Sequence, residues 1–260
     1  MNTAPIHALA PILAKEMPMP GTHLLWLEVP GIANTANPGQ FVMVQCDGGA
    51  FLRRPISIHR ISSDKTRIAL LFAVVGKGTS WLTKLDIGDR VSLLGPLGSG
   101  FSIAPQTKSA VLLAGGLGIA PLCFLADELI THGVKVSLLY GAATSKAIYP
   151  DRLLPSEASC VFATEDGSRG RRGFITTCLP EYLQDVDQVF ACGPTPMYRT
   201  LAHSDMINGS DAQVSLETMM ACGLGVCYGC TINTRQGPRQ VCRHGPVFKL
   251  HDVFWDEFGI

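Results

Sequence analysis

The chain has 260 residues, with 21 basic and 21 acidic side chains and 47% hydrophobic residues. Balanced charge argues against nucleic acid or an anionic membrane surface as a partner, and the hydrophobic share is ample for a core. The longest apolar stretches, 110–114 and 134–140, are too short to span a bilayer, and no N-terminal stretch has the make-up of a secretory signal, so the expectation is a soluble protein in a reducing, cytoplasmic setting.

The length exceeds that of a usual single domain and suggests two modules plus an appendage. The first hundred residues read as all-β. Runs at 23–29, 41–46, 56–61, 67–75 and 90–94 are rich in β-branched and large apolar residues and are punctuated by Gly, Pro, Asn or Asp. Short strands at such close spacing suggest a small antiparallel barrel. One helical signal interrupts them at 79–85, where Trp81, Leu82 and Leu85 share a face.

After Ser102 the pattern changes. An apolar strand at 110–114 runs into Gly115-Gly116-Leu117-Gly118, then a helix-like run at 119–132 stopped by Gly133, then a second apolar strand at 134–140. This is a βαβ unit and implies a parallel sheet, which strands at 160–163 and 188–192 extend. The turn G-G-L-G-I-A-P opens a helix behind a buried strand, where glycines let backbone approach a pyrophosphate and free N–H groups meet its charge. It is not G-x-G-x-x-G, and a tight strand-to-helix turn explains it equally well. A second turn, Ala191-Cys192-Gly193-Pro194-Thr195-Pro196-Met197, again precedes a helix, and two such turns at one sheet edge make a crevice for a dinucleotide.

The C-terminal segment carries Cys222, Cys227, Cys230 and Cys242, spaced C-x4-C-x2-C with the fourth after eleven intervening residues. That is the spacing by which four thiolates hold a [2Fe–2S] cluster. Zinc on four cysteines, or on three with His244, is the competing reading. Zinc sites usually bring two C-x2-C knuckles, and only one exists here. The remaining Cys46, Cys123, Cys160 and Cys178 read as core residues, the histidines show no metal spacing, and Trp26, Trp81 and Trp255 read as packing residues.

Two further motifs lie in the barrel. Arg53-Arg54-Pro55-Ile56-Ser57 puts guanidinium donors and a hydroxyl at a strand start, and Gly76-Lys77-Gly78-Thr79 precedes a short helix, a potential phosphate nest. Taken with Pro38-Gly39-Gln40-Phe41, Gly95-Pro96-Leu97-Gly98-Ser99-Gly100-Phe101, the two crevice turns and the cysteine tail, they make a pattern that resembles the electron-transfer subunits of NAD-dependent dihydroorotate dehydrogenases, of the ferredoxin reductase superfamily, over essentially the whole chain.

The resemblance implies an FAD-binding barrel over 1–103, a parallel-sheet NAD-binding α/β domain over 104–210 and a [2Fe–2S] segment over 211–260. It implies that Arg54, Pro55, Ile56 and Ser57 bind FAD, with Arg54 on the pyrophosphate and Ser57 near the isoalloxazine. Leu71, Phe72 and Ala73 would lie along the flavin, and Gly78 with Thr79 would hold phosphate. Ala73 departs from the family, which often has Arg there. Gly115, Gly116 and Gly118 would face NAD, Cys192, Gly193 and Pro194 would sit beside the nicotinamide, and Cys222, Cys227, Cys230 and Cys242 would ligate the cluster.

The partner implied is an FMN-containing dihydroorotate dehydrogenase catalytic subunit, in a heterotetramer of two of each, with no nucleic acid and no membrane. Dihydroorotate would be oxidised there, in pyrimidine biosynthesis, and no residue of this chain would act as acid or base on it. A hydride carries two electrons and the cluster takes one, so FAD belongs between nicotinamide and cluster. Three alternatives stay open: this subunit, a related reductase subunit serving sulfite reductase, sulfide dehydrogenase or ferredoxin:NADP oxidoreductase, and a zinc-stabilised binding module. Gly141, Ala142, Ala143 and Thr144 lack the arginine that a 2′-phosphate wants, which favours NAD. Arg169, Arg171 and Arg172 form either a solvated loop or a phosphate clamp, and Glu165 or Asp166 could repel a phosphate.

Overall fold

The computed structural model describes residues 4–47, 49, 51–207 and 212–258. The expected boundary at 210/211 lies outside the described residues. The N-terminal part closes into a six-stranded antiparallel barrel of β1 (Ile6–Met19), β2 (Thr22–Glu28), β3 (Phe41–Val44), β4 (Arg54–Ile61), β5 (Arg67–Ala73) and β6 (Arg90–Leu97), in the order β1-β2-β5-β4-β3-β6. Alternation sorts the side chains. Ile56, Ile58, Leu70 and Phe72 fill the barrel with Val42, Val44 and Leu93, while Phe41, Met43, Leu71 and Leu97 face outward and join the cores of the other layers. Short helices α1 (Pro30–Ala33) and α2 (Lys77–Leu82) plug the connections.

Strand β1, the longest, is absent from the sequence reading. Pro11 and Pro18 demote it on pattern alone. The ladder accommodates Pro18, because the pairing with β2 shifts register between Glu16 and Met19, and Pro11 lies opposite Arg90 in the regular pairing with β6.

The second layer is a seven-stranded sheet of β7 (Ser109–Gly115), β8 (Lys135–Ala142), β9 (Ser159–Thr164), β10 (Arg171–Arg172), β11 (Gln188–Cys192), β12 (Gln213–Ser215) and, later in the chain, β15 (Val247–Lys249). Its order is β10-β9-β8-β7-β11-β12-β15, parallel except for β15. Helix α3 (Ile119–Thr131) crosses from β7 to β8 with nine of its residues buried, and α4 (Thr195–His203) follows β11. Strand order reverses between β7 and β11, the switch point where open α/β sheets bind ligands.

The cysteine segment shares its core with the other two layers. It contributes β12 and β15 to the large sheet, and a hairpin of β13 (Thr231–Thr234) and β14 (Gly237–Gln240) leads into α5 (Val241–His244). Cys230, Val241, Cys242, Leu250, Val253 and Trp255 pack with Val214, Leu216 and the barrel residues Phe41, Met43 and Leu97. Among the described residues no helix is long and apolar enough to cross a membrane.

Barrel and sheet are tied by polar contacts as well as apolar ones. His59, on the outer face of β4, is fully enclosed. One ring nitrogen lies 2.9 Å from Ala120 O on α3, and the other lies 2.9 Å from the Tyr149 hydroxyl. Arg60 Nε pairs with Asp127 Oδ2 on α3 at 2.8 Å.

Candidate functional site

Three groups of residues converge where barrel, large sheet and cysteine segment meet. The first is on the barrel. Arg54 begins β4, and its Nη1 donates to Leu52 O at 2.8 Å, which fixes the guanidinium over α2: a Cβ added to Gly78 would lie 3.0 Å from Arg54 Nε. Helix α2 has no side-chain cap at its first turn. The Thr79 hydroxyl receives the N–H groups of Val75 and Gly76 at 3.0 and 3.3 Å and donates to Gly76 O at 3.2 Å, so it closes the turn and leaves the helix amides to a ligand.

The two arginines are not equivalent. Arg53 donates to Met43 O, Ser92 O, the Ser92 hydroxyl and Gln45 Oε1, a structural set within the barrel, whereas Arg54 keeps donors free for an anion. Pro55 and Ser57 stand on the outer face of β4, and Leu71 and Ala73 on the outer face of β5. Ile56 and Phe72 point into the barrel, so they offer backbone to the outer side. Strand β5 lies against the Gly116–Gly118 turn of the large sheet.

That turn is the second group. Gly118 packs on the opposite turn so tightly that a Cβ would lie 2.0 Å from Cys192 O. The two carboxyl-edge turns therefore touch, and the helix amides of α3 and the backbone of Gly193-Pro194 line one crevice. Tyr198 on α4 fixes its wall: its hydroxyl accepts Gly193 N–H at 2.8 Å and donates to Ser215 O at 2.6 Å. The Cys192 thiol is buried and turned onto Ser215 O at 3.6 Å, and burial raises its pKa, so it stays protonated and presents only backbone to the crevice.

The third group is the cysteines. The hairpin explains the distant fourth one. Thr231 pairs with Gln240, so Val241 returns opposite Cys230, donating to Cys230 O at 3.0 Å, and Cys242 arrives beside it. Amides aim at the sulfurs: Leu224 N–H lies 3.3 Å from Cys222 Sγ, Gly225 N–H 3.1 Å from Cys242 Sγ, and Cys242 N–H 3.4 Å from Cys230 Sγ. Burial opposes ionisation of Cys222, but hydrogen bonds from the amides of Leu224, Cys227 and Val226 and from the Cys227 side chain outweigh it and bring the thiol down to about 6. Cys230 and Cys242 are buried, and Cys227 is exposed at the tip. Among the described residues no three His, Cys, Asp or Glu side chains close on a point as they would around one metal ion. A two-iron core asks for less, since each iron takes only two of the four thiolates. The four-cysteine donor set and the amides aimed at its sulfurs fit an iron–sulfur cluster.

Glu217 is missing from the sequence reading. It follows β12, and with Thr195, Thr218, Asn233 and Phe254 it lines a cavity of about 320 Å³ beside the crevice. Solvent reaches its side chain, yet the walls crowd its carboxyl enough that desolvation raises its pKa. A lone Glu between a three-residue strand and a cysteine loop gives no signal on sequence.

Residues 217–254 match the model of the iron–sulfur cluster binding domain of dihydroorotate dehydrogenase B, and residues 112–203 match that of the oxidoreductase NAD-binding domain. The chain is 38% identical over 258 residues to the dihydroorotate dehydrogenase B (NAD(+)) electron transfer subunit of Desulforamulus reducens, covering 95% of this chain and 98% of that one. It is 36% identical over 223 residues to the subunit of the same name from Caldanaerobacter subterraneus, covering 84% and 87%. The chain belongs to the family of dihydroorotate dehydrogenase B electron transfer subunits.

Among solved structures, one of an NADH-dependent reduced ferredoxin-NADP oxidoreductase superposes with a TM-score of 0.86 at 27% identity over 99% of this chain and 92% of that one. The ferredoxin reductase of carbazole 1,9a-dioxygenase, at 19% identity and a TM-score of 0.70 over 81% of this chain and 68% of that one, shares the fold. The dihydroorotate dehydrogenase B iron–sulfur match begins at Glu217 and takes in all four cysteines, and the NAD-binding match takes in both crevice turns. Membership in this family carries the FAD, iron–sulfur and NAD chemistry that the three groups of residues accommodate.

Proposed function

We propose that this chain passes electrons from dihydroorotate oxidation, on an FMN-bearing catalytic partner, by way of a [2Fe–2S] cluster and FAD to NAD+, in cytoplasmic pyrimidine biosynthesis. The observation that carries the reading is one chain of contacts. Ser57 and Pro55 on β4 pair with Phe41 and Met43 on β3, and the Met43 side chain touches Gly223, the residue after Cys222. A flavin strand and a cluster loop are thus one strand pairing apart, and the Gly116–Gly118 turn lies against the next strand, β5.

When bound, the cluster exchanges electrons singly and FAD exchanges them singly or in pairs, which places FAD between cluster and nicotinamide. The protein's own residues bind and align. Arg54 and the amides of Gly78 and Thr79 would hold the FAD pyrophosphate, with Pro55, Ile56, Ser57, Leu71, Phe72 and Ala73 along the ring. Gly115, Gly116 and Gly118 with Cys192, Gly193 and Pro194 would seat the dinucleotide, and Cys222, Cys227, Cys230 and Cys242 would ligate the cluster through thiolates. This divides the chain into an FAD barrel over 1–103, an NAD domain over 104–210 and a cluster segment over 211–260. The partner would join in a heterotetramer of two copies of each chain.

The test is reconstitution. The flavin- and iron-loaded chain is mixed with an FMN-containing dihydroorotate dehydrogenase subunit, dihydroorotate and NAD+, and NADH is followed at 340 nm. NADH formation that requires both chains supports the reading. The likeness to the NADH-dependent ferredoxin-NADP oxidoreductase chain supports a second reading, in which the same relay serves another partner. NADH oxidation by the chain alone with ferricyanide as the added electron acceptor, and no dihydroorotate-dependent rate when the FMN subunit is present, would favour it.

A further inference from the structure

The crevice has an adenosine end as well as a nicotinamide end, and the turn there carries charges that electron transfer leaves unused. In a doubly wound sheet the pyrophosphate lies on the first glycine turn. The adenosine ribose lies near the end of the next strand, where an acidic side chain about twenty residues on receives its 2′-hydroxyl. Here that strand, β8, ends in Gly141-Ala142 and is followed by Ala143 and Thr144, with no acid.

The neighbouring strand fills the place. Glu165 N–H donates to Ala142 O at 3.1 Å and Asp166 N–H to Ala143 O at 3.3 Å, so the turn after β9 is laid over the end of β8. Asp166 is fixed, its Oδ1 accepting Ser168 N–H at 3.0 Å and the Ser168 hydroxyl at 2.6 Å, while that hydroxyl accepts Ser145 N–H at 2.7 Å. Glu165 is exposed, and its carboxylate has no hydrogen bond or ion pair among the described residues.

The arginines that could have clamped a phosphate are engaged elsewhere. Arg169 pairs with Asp151 at 2.6 Å and lies 3.8 Å over the Phe162 ring, and Arg171 meets both carboxylate oxygens of Glu181, the longer contact at 2.6 Å. Two exposed cations remain near the turn, Lys146 after β8 and Arg172 at the end of β10. Both are on long stems, and both share the region with the two carboxylates.

We propose that Glu165 and Asp166 are the specificity element of the dinucleotide site, receiving the free 2′-hydroxyl of NAD and turning away the 2′-phosphate of NADP. The inference rests on the crevice being the dinucleotide site. The experiment is calorimetric titration of the flavin-loaded full chain with ADP-ribose and with 2′-phospho-ADP-ribose, for the wild type, Glu165→Gln, E165Q/D166N and K146A/R172A. The melting temperature of each confirms the fold.

The wild type is expected to favour ADP-ribose by about thirtyfold or more. E165Q/D166N should shrink that preference at least tenfold, chiefly by gaining affinity for the phosphorylated nucleotide, with Glu165→Gln part-way and K146A/R172A still selective. Equal binding of both nucleotides by the wild type, an unchanged ratio in E165Q/D166N, or loss of preference in K146A/R172A would each overturn the specificity element while leaving the crevice. Binding of neither nucleotide to the folded, flavin-loaded wild type would remove the crevice reading and the proposal with it.

Discussion

A Cβ on Gly223 would lie 2.5 Å from Met43 Cγ: the first glycine of the cysteine loop rests directly on barrel strand β3. Gly223 also has φ +71°, a conformation that costs other residues about 1–2 kcal/mol. Gly223→Ala should therefore destabilise the protein by more than that backbone cost alone, and adding Met43→Ala should recover the steric part, a coupling of about 0.5–3 kcal/mol. Urea unfolding of the four-member cycle measures it. Strictly additive effects would mean that loop and barrel do not touch.

Cys227 is the exposed cysteine of the loop, whereas Arg54 and Gly78 belong to the N-terminal barrel part. Cys227→Ser is expected to strip most of the iron and its visible absorption while leaving about one flavin per chain, since the two sites draw on different elements. Iron and flavin analysis of protein made anaerobically checks this. Full iron content in the variant would exclude Cys227 as a ligand.

Much of the fold was legible because its periods are strong. The apolar strands β7, β8 and β11 and the glycine stop after α3 stand out on pattern, and the cysteine spacing named its own chemistry. What the sequence hid was long-range. Strand β1 is masked by Pro11 and Pro18, and only its pairing with β2 and β6 reveals it. The three-residue strands β12 and β15 have no pattern of their own and exist because the edge of β11 is there to extend. The distinct fates of Arg53 and Arg54, adjacent and chemically alike, depend on which carbonyls the barrel presents to each.

Gly118 makes the closest approach in the crevice, 2.0 Å from a built Cβ to Cys192 O, and both partners are backbone, so nothing can rotate away. Gly118→Ala should force the two turns apart, at a cost of about 1–3 kcal/mol. It should also weaken NAD binding more than tenfold while flavin content stays unchanged. Thermal melting with nucleotide titration separates the two effects. Unaltered NAD affinity would show that the contact between the turns does not shape the site.

His59 gives the interface between barrel and sheet a pH dependence. Burial first, and the Arg60 charge after it, lower its pKa to about 3, against the opposing pull of the Ala120 carbonyl. The native state therefore keeps this imidazole neutral while the unfolded chain protonates it near pH 6.5. Between those values the unfolded state binds the extra proton. Stability from this group is thus complete above about pH 6.5 and falls as the pH drops toward 3, by about 1.4 kcal/mol per unit. His59→Asn removes the titration, so its unfolding free energy should decline less steeply than that of the wild type between pH 6.5 and 5, the gap closing by about 2 kcal/mol over that interval. Parallel profiles from denaturant unfolding at each pH would mean that His59 is not held neutral between Ala120 and Tyr149.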